Sequence, residues 1–226
     1  KWHKSDNALL KWNKPADMTG LQFYRYYATY DPSFTVPEVT TYVPTDFNTW
    51  TESNSNEATI KLSQFKNLPP SGTIRIGVCA VDYSGNVMVA ETSYNFDLIK
   101  PSFVDAANKP TTTVSVIKEN LGFQDALQLK WGTLTDAGGS KPSSIELTIE
   151  KFSDVDGKPL PNDLREKRVF NYQPAVTEAL IRGIVANYGY SVVIKGFDGA
   201  GNTSELRTFV ALGNAVEPQV DRKSVV

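Results

Sequence analysis

Ile74–Asn86 reads IRIGVCAVDYSGN, and Tyr190–Asn202 reads YSVVIKGFDGAGN. One shift of 116 positions superimposes them, setting Asp82 on Asp198, Gly85 on Gly201 and Asn86 on Asn202. The same shift sets Leu68 on Ile184. In the first stretch Ile74, Ile76, Val78 and Ala80 fall at alternate positions, with Arg75, Gly77 and Cys79 between them. In the second, Tyr190, Val192, Ile194 and Gly196 alternate with Ser191, Val193 and Lys195. A period of two is what a strand with one core-facing side requires. Its recurrence at a long fixed interval indicates a duplicated module.

Working outward from these strands, LLKW ending at Trp12 matches LQLKW ending at Trp131, now with a shift of 119. Strand-like runs follow both, LQFYRYYATY from Leu21 and SSIELTIEKF from Ser143. The drift between the two shifts predicts connections of unequal length, because insertions collect in exposed loops. Turn-forming clusters (NKPAD, NLPPSG, DAGGSKP, DVDGKPLPND) separate the runs, and no convincing amphipathic helix intervenes. Short alternating strands punctuated in this way predict an all-β chain with a two-sheet sandwich in each half.

The boundaries repeat as well. Pro-containing stretches stand at Lys100–Asp105 (KPSFVD) and Glu217–Arg222 (EPQVDR). They predict a first module over residues 1–100 and a second over 101–217, with 218–226 a linker or the start of a further module. TTTVSVI (Thr111–Ile117) reads as a strand ahead of Trp131, whereas only eleven residues precede Trp12. The first strand of module one is therefore expected to be missing or very short, and both ends to be cut from a longer array.

Trp131, Ile184 and the run Tyr190–Gly196 resemble the early-strand Trp, the hydrophobic turn residue and the Tyr-led strand of fibronectin type III modules. In module one the counterparts are Trp12, Leu68 with Pro70, and Ile74. The resemblance covers essentially the whole chain and implies two tandem Ig-like β-sandwiches. Ile74 departs from the pattern, which implies that module one lacks the tyrosine-corner hydrogen bond. The Asp-x-x-Gly-Asn turns also look like modules of bacterial surface and phage tail proteins. That likeness implies an extracellular, cell-surface or virion setting, with other modules of the same longer protein as partners.

Composition narrows the function. Of 226 residues 40% are hydrophobic and 11% aromatic, enough for a sizeable core. The net charge of −2 divides evenly between residues 1–100 and 101–226, and no basic stripe exists to neutralise phosphates. Nucleic acid is not an expected partner. No apolar run approaches the roughly 20 residues of a membrane helix, so membrane insertion is not expected either. The single cysteine, Cys79, excludes an internal disulfide.

No catalytic, cofactor or metal site is expected. The only histidine, His3, lies in the first few residues, where chain ends fray. No Gly-x-Ser-x-Gly turn is present. Asp154-Val-Asp156-Gly157 opens like a calcium loop, but Arg165 stands where such a loop carries its bidentate Glu, so a hairpin turn is expected. The recurrent Asp82, Gly85, Asn86 and Asp198, Gly201, Asn202 read as turn chemistry, in which Asp accepts local amide hydrogens and Gly supplies the left-handed residue. Trp12, Trp131 and Tyr190 read as core residues.

One feature exceeds what a sandwich needs. Phe23, Tyr24, Tyr26, Tyr27 and Tyr30 put rings on both faces of one strand, and Phe34, Tyr42, Phe47 and Trp50 fall in the long connection that follows. Either the connection covers the outward rings, or they form an exposed patch for a protein or a sugar. Trp50, in TWTESNSNE, is the foremost contact residue on the second reading, with Tyr42 and Phe47 beside it, and the chain would then be a carbohydrate-binding accessory module.

Overall fold

The computed structural model describes residues 1–16, 20–120 and 125–212. These residues form two compact units. The first comprises Lys1–Lys100 together with the short stretches Asp136–Lys141 and Gly199–Asn202, and the second holds Pro101–Thr135, Pro142–Asp198 and the chain from Thr203. The stretch 218–226, expected to be a linker or a further module, lies outside the described residues.

In the first unit the strands are β1 (Trp2–His3), β2 (Asn7–Lys11), β3 (Leu21–Thr29), β4 (Thr51–Ser53), β5 (Glu57–Lys61), β6 (Ser71–Asp82) and β7 (Val87–Asp97). They form a sheet in the order β1-β7-β6-β3-β4 and a smaller sheet of β2 and β5. All pairings are antiparallel except the short parallel one of β1 with β7. His3 is held in that pairing and stacks on Tyr94 with ring centroids 4.9 Å apart. The chain start is thus ordered there, contrary to the fraying expected from its position, because parallel pairing and ring stacking tie it down.

The second unit contains β8 (Ser102–Val104), β9 (Ser115–Asn120), β10 (Asp125–Lys130), β11 (Thr133–Thr135), β12 (Pro142–Asp154), β13 (Glu166–Tyr172), β14 (Glu178–Ile184), β15 (Tyr188–Asp198) and β16 (Thr203–Ala211). A four-stranded sheet β13-β12-β15-β16 faces a three-stranded sheet β14-β10-β9, and β8 pairs with β11. The chain is all-β, two tandem β-sandwiches. The alternation read in the sequence sets the facing. Tyr190, Val192, Ile194 and Gly196 are buried along β15, while Ser191, Val193 and Lys195 remain partly exposed.

The cores differ in kind. The second unit has one continuous core, in which Leu127, Leu129 and Trp131 meet Ile145, Leu147 and Ile149 of β12, Ile181 of β14 and Tyr190 of β15. The first unit has two. Leu62, Ile74, Ile76 and Phe96 fill the space between its sheets. On the opposite face of the large sheet, Phe47, Trp50, Cys79 and Val81 form a second apolar cluster with Phe23, Tyr27, Phe34 and Tyr42 packed against it.

Candidate functional site

Of the two readings of the aromatic surplus, burial favours the one in which the connection covers the outward rings, and it removes Trp50, Tyr42 and Phe47 as an exposed contact patch. Trp50 is 7% exposed and Phe47 is fully buried. Tyr42 is half-buried, stacked on Phe47 with centroids 5.8 Å apart and an interplanar angle of 17°. The connection from β3 to β4 folds back over the outer sheet face as a lid. Its 3-10 turn Pro44–Phe47 turns Phe47 inward, edge-on to Trp50 at 5.0 Å. Trp50 in turn lies against Tyr27 of β3 and Phe34. The polar run after Trp50 suggested an exposed loop. The indole is nevertheless drawn under, because burying so large an apolar ring outweighs the preference of its flanking residues for water. No coplanar pair of rings is left to stack on a sugar at these three positions.

Arg25 pins the lid. Its Nη1 donates to the Phe47 carbonyl at 3.0 Å and its Nη2 to Glu52 Oε2 at 3.1 Å. The guanidinium also sits over the Phe23 and Tyr42 rings, 5.7 and 5.6 Å from their centroids. Cys79, placed on the outward side of β6 by alternation, is completely buried beneath this layer. Burial pushes its thiol up to about 11, with the Arg25 interactions opposing that rise. At neutral pH it is a protonated, enclosed thiol rather than a nucleophile.

The Asp82 turn does what its residues predict. Asp82 is buried, and its Oδ1 accepts hydrogen bonds from the amides of Ser84 and Asn86 at 2.9 and 2.8 Å. Its Oδ2 accepts from Asn86 Nδ2 at 2.8 Å. Gly85 has φ 80° and Gly201 φ 90°, the left-handed region that favours glycine. Asp198 is buried at the end of β15. Asn202 Nδ2 donates to the carbonyls of Asp97 and Ile99, all three residues within the first unit. The first turn has a further role that the sequence did not announce. Tyr42 N donates to the Gly85 carbonyl at 2.8 Å and Val87 N to Thr40 O at 3.0 Å, so the turn holds one end of the lid. Asp154 likewise closes a hairpin, its Oδ1 accepting from the amides of Asp156 and Lys158.

Trp131 and Tyr190 are buried core residues as expected, whereas Trp12 is only half-buried. Beside Trp12 lies a groove of about 250 Å3, walled by Leu10 of β2 and the adjoining Trp12, Tyr24 of β3, Val78 and Ala80 of β6, and Met88, Ala90 and Thr92 of β7. It is predominantly apolar, and Trp12 packs edge-on to Tyr24 at 5.5 Å along its wall. The Trp12 indole N–H is buried and has no hydrogen-bond partner among the described residues. The counterpart Trp131 Nε1 donates to the Val176 carbonyl at 2.9 Å. Burial from water raises the Tyr24 hydroxyl above its ordinary value.

Sequence reasoning did not single out Met88 and Ala90. The signal was available: β7 opens VMVAETS, so its inward positions hold Met88, Ala90 and Thr92, a thin supply of bulk for a core strand.

No protein-family model matches the chain, and no curated protein does. Among solved structures, the FN1–FN3 domains of chicken CNTN1 are similar over 94% of this chain at 12% identity and a TM-score of 0.49. The chain spans 64% of that structure's length. A two-domain fibronectin type III segment from chicken tenascin is similar over 92% of this chain and 94% of its own, at 11% identity and a TM-score of 0.35. Both of these similar structures are tandem fibronectin type III segments.

Proposed function

We propose that this chain is a non-enzymatic structural or interaction segment, a modular spacer or display element of a larger extracellular or virion-surface protein such as a phage tail component. One observation carries the reading: each unit closes its own apolar core, and the aromatic surplus of the first goes into a second core beneath a lid. Rings used this way stiffen a module rather than offer a ligand platform. A carbohydrate-binding accessory module would need Trp50, Tyr42 and Phe47 turned outward, and their burial speaks against it. Partners on this reading are neighbouring modules of the same longer protein.

Single-molecule stretching of the full chain tests the proposal. A spacer of independent modules yields two separate unfolding steps, each releasing on the order of 100 residues at ~3.3–3.6 Å per residue. A single step releasing the whole length at once would overturn it, as would hydrolysis of a substrate by the purified chain.

A further inference from the structure

The two apolar clusters of the first unit share one sheet but no residue. Strand β6 gives Ile74 and Ile76 to the cluster between the sheets, and Cys79 and Val81 to the cluster beneath the lid. From the lid itself come Phe34, Val36, Val39, Tyr42, Phe47 and Trp50. Lifting residues 30–50 off the sheet would remove those six side chains and leave Leu62, Ile74, Ile76 and Phe96 packed as they are. One cluster can therefore open without the other, which is the condition for a sub-global transition.

The lid is lightly attached through its backbone. Its regular structure is the 3-10 turn Pro44–Phe47 and an isolated bridge of Thr41 with Asn86. Around that bridge Tyr42 N donates to the Gly85 carbonyl and Val87 N to the Thr40 carbonyl. A third tie comes from a side chain, Arg25 Nη1 donating to the Phe47 carbonyl. Strand β6, by contrast, is paired from Ser71 to Val81 with β7 and from Arg75 to Asp82 with β3.

The closed lid also carries a penalty that opening removes. Arg25 Nε is buried and has no hydrogen-bond partner among the described residues. A charged donor left unsatisfied in a dry layer is destabilising, and access of water relieves it. The guanidinium that pins the lid thus also favours its release.

We propose that residues 30–50 form a strap that opens as one unit while the sandwich beneath stays folded, uncovering an apolar sheet face of Phe23, Tyr27, Val81 and Val89 with Cys79 among them. Pro32, Pro37 and Pro44 restrict the freed chain, so it swings away rather than melts. The closed form is the ground state and the open form a minor population in equilibrium with it. The strap opens in this way whether or not the chain serves as a spacer.

The single cysteine makes the opening measurable. In the full chain at pH 8, labelling of Cys79 by a small methanethiosulfonate is followed at increasing urea below the unfolding transition. The expected labelling is slow, yet about tenfold or more above what whole-unit unfolding permits. Its urea dependence should be shallower, because less surface is exposed. The Tyr42 amide should exchange through the same opening, while that of Ile76 keeps to the global limit. Val36→Ala, within the lid, should raise both the labelling and the Tyr42 exchange roughly five- to tenfold. Ile76→Val, between the sheets, should lower the urea midpoint and leave both rates within about twofold. Labelling with the full urea dependence of unit unfolding, or accelerated as much by Ile76→Val as by Val36→Ala, would overturn the strap. So would labelling without Tyr42 exchange, since the reagent would then be reaching Cys79 through a closed lid.

Discussion

The six-membered ring of Trp50 occupies the place that a Cβ on Gly77 would take, and Val36 Cγ1 lies only 2.9 Å from the same point. The lid is therefore seated on a strand position that has no side chain. Gly77→Ala would force the indole or the strand to shift, and overpacking of this kind costs about 1–3 kcal/mol. For a unit of this size each kcal/mol lowers Tm by roughly 4–8 °C. Thermal unfolding followed by tryptophan emission measures the drop, and an unchanged melting temperature would mean that the lid does not bear on β6.

Arg25 holds the lid with a fork that Lys cannot reproduce. Arg25→Lys is expected to lose the Phe47 carbonyl contact or the Glu52 pair and to destabilise the first unit by about 1–2 kcal/mol. Iodide quenching gives the structural readout. The emission component removed by Trp50→Phe should be blue-shifted and protected in the parent chain, and more accessible in Arg25→Lys. A strongly quenchable Trp50 in the parent chain would contradict its burial.

Cys79 should resist thiol reagents in the folded chain at pH 8 and react once the chain unfolds. The physical cause is burial, which raises the thiol from 9.0 to about 11. A group whose folded pKa lies above its unfolded one contributes stability that is complete below the unfolded value. Stability of the first unit should accordingly fall as pH rises from about 9 through about 11, and Cys79→Ser should alter that window. Rapid labelling of folded protein at pH 8 would rule out the enclosed thiol.

Tyr190 ties its hydroxyl to Val185, donating to the carbonyl and accepting from the amide, each at 3.0 Å. Tyr190→Phe leaves both backbone groups without that partner and should cost about 1–3 kcal/mol, measured by urea unfolding. The effect should be confined to the second unit, since Ile74 holds the equivalent place in the first and is completely buried. Burial raises the Tyr190 pKa despite the Val185 hydrogen bond, so this contribution is present below pH 10 and lost as pH rises through the raised value. A melting temperature unaffected by Tyr190→Phe would remove the corner from the account of stability.

Much of the fold was legible because its determinants are local. The alternation of Ile74–Ala80 and Tyr190–Gly196 sets which side chains face inward whatever the rest of the chain does. The turns at Asp82 and Asp154 are likewise specified by residues that hydrogen-bond within four positions of themselves. The placement of Trp50 stays open in the sequence for the opposite reason. Its exposure depends on Gly77, Tyr27 and Phe34, none of which is near it in the chain except through folding.

The sequence by itself determined the duplication, the strand alternation, the turn geometry and the absence of a tyrosine corner in module one, since each follows from residue type and spacing alone. Only the tertiary structure decided that the connection after β3 is a lid over a second core, that Cys79 is sealed beneath it, and that Met88 and Ala90 line a groove beside Trp12. Those outcomes turn on which distant surfaces meet. Burial is a property of pairs of surfaces, and no single stretch of chain encodes both partners.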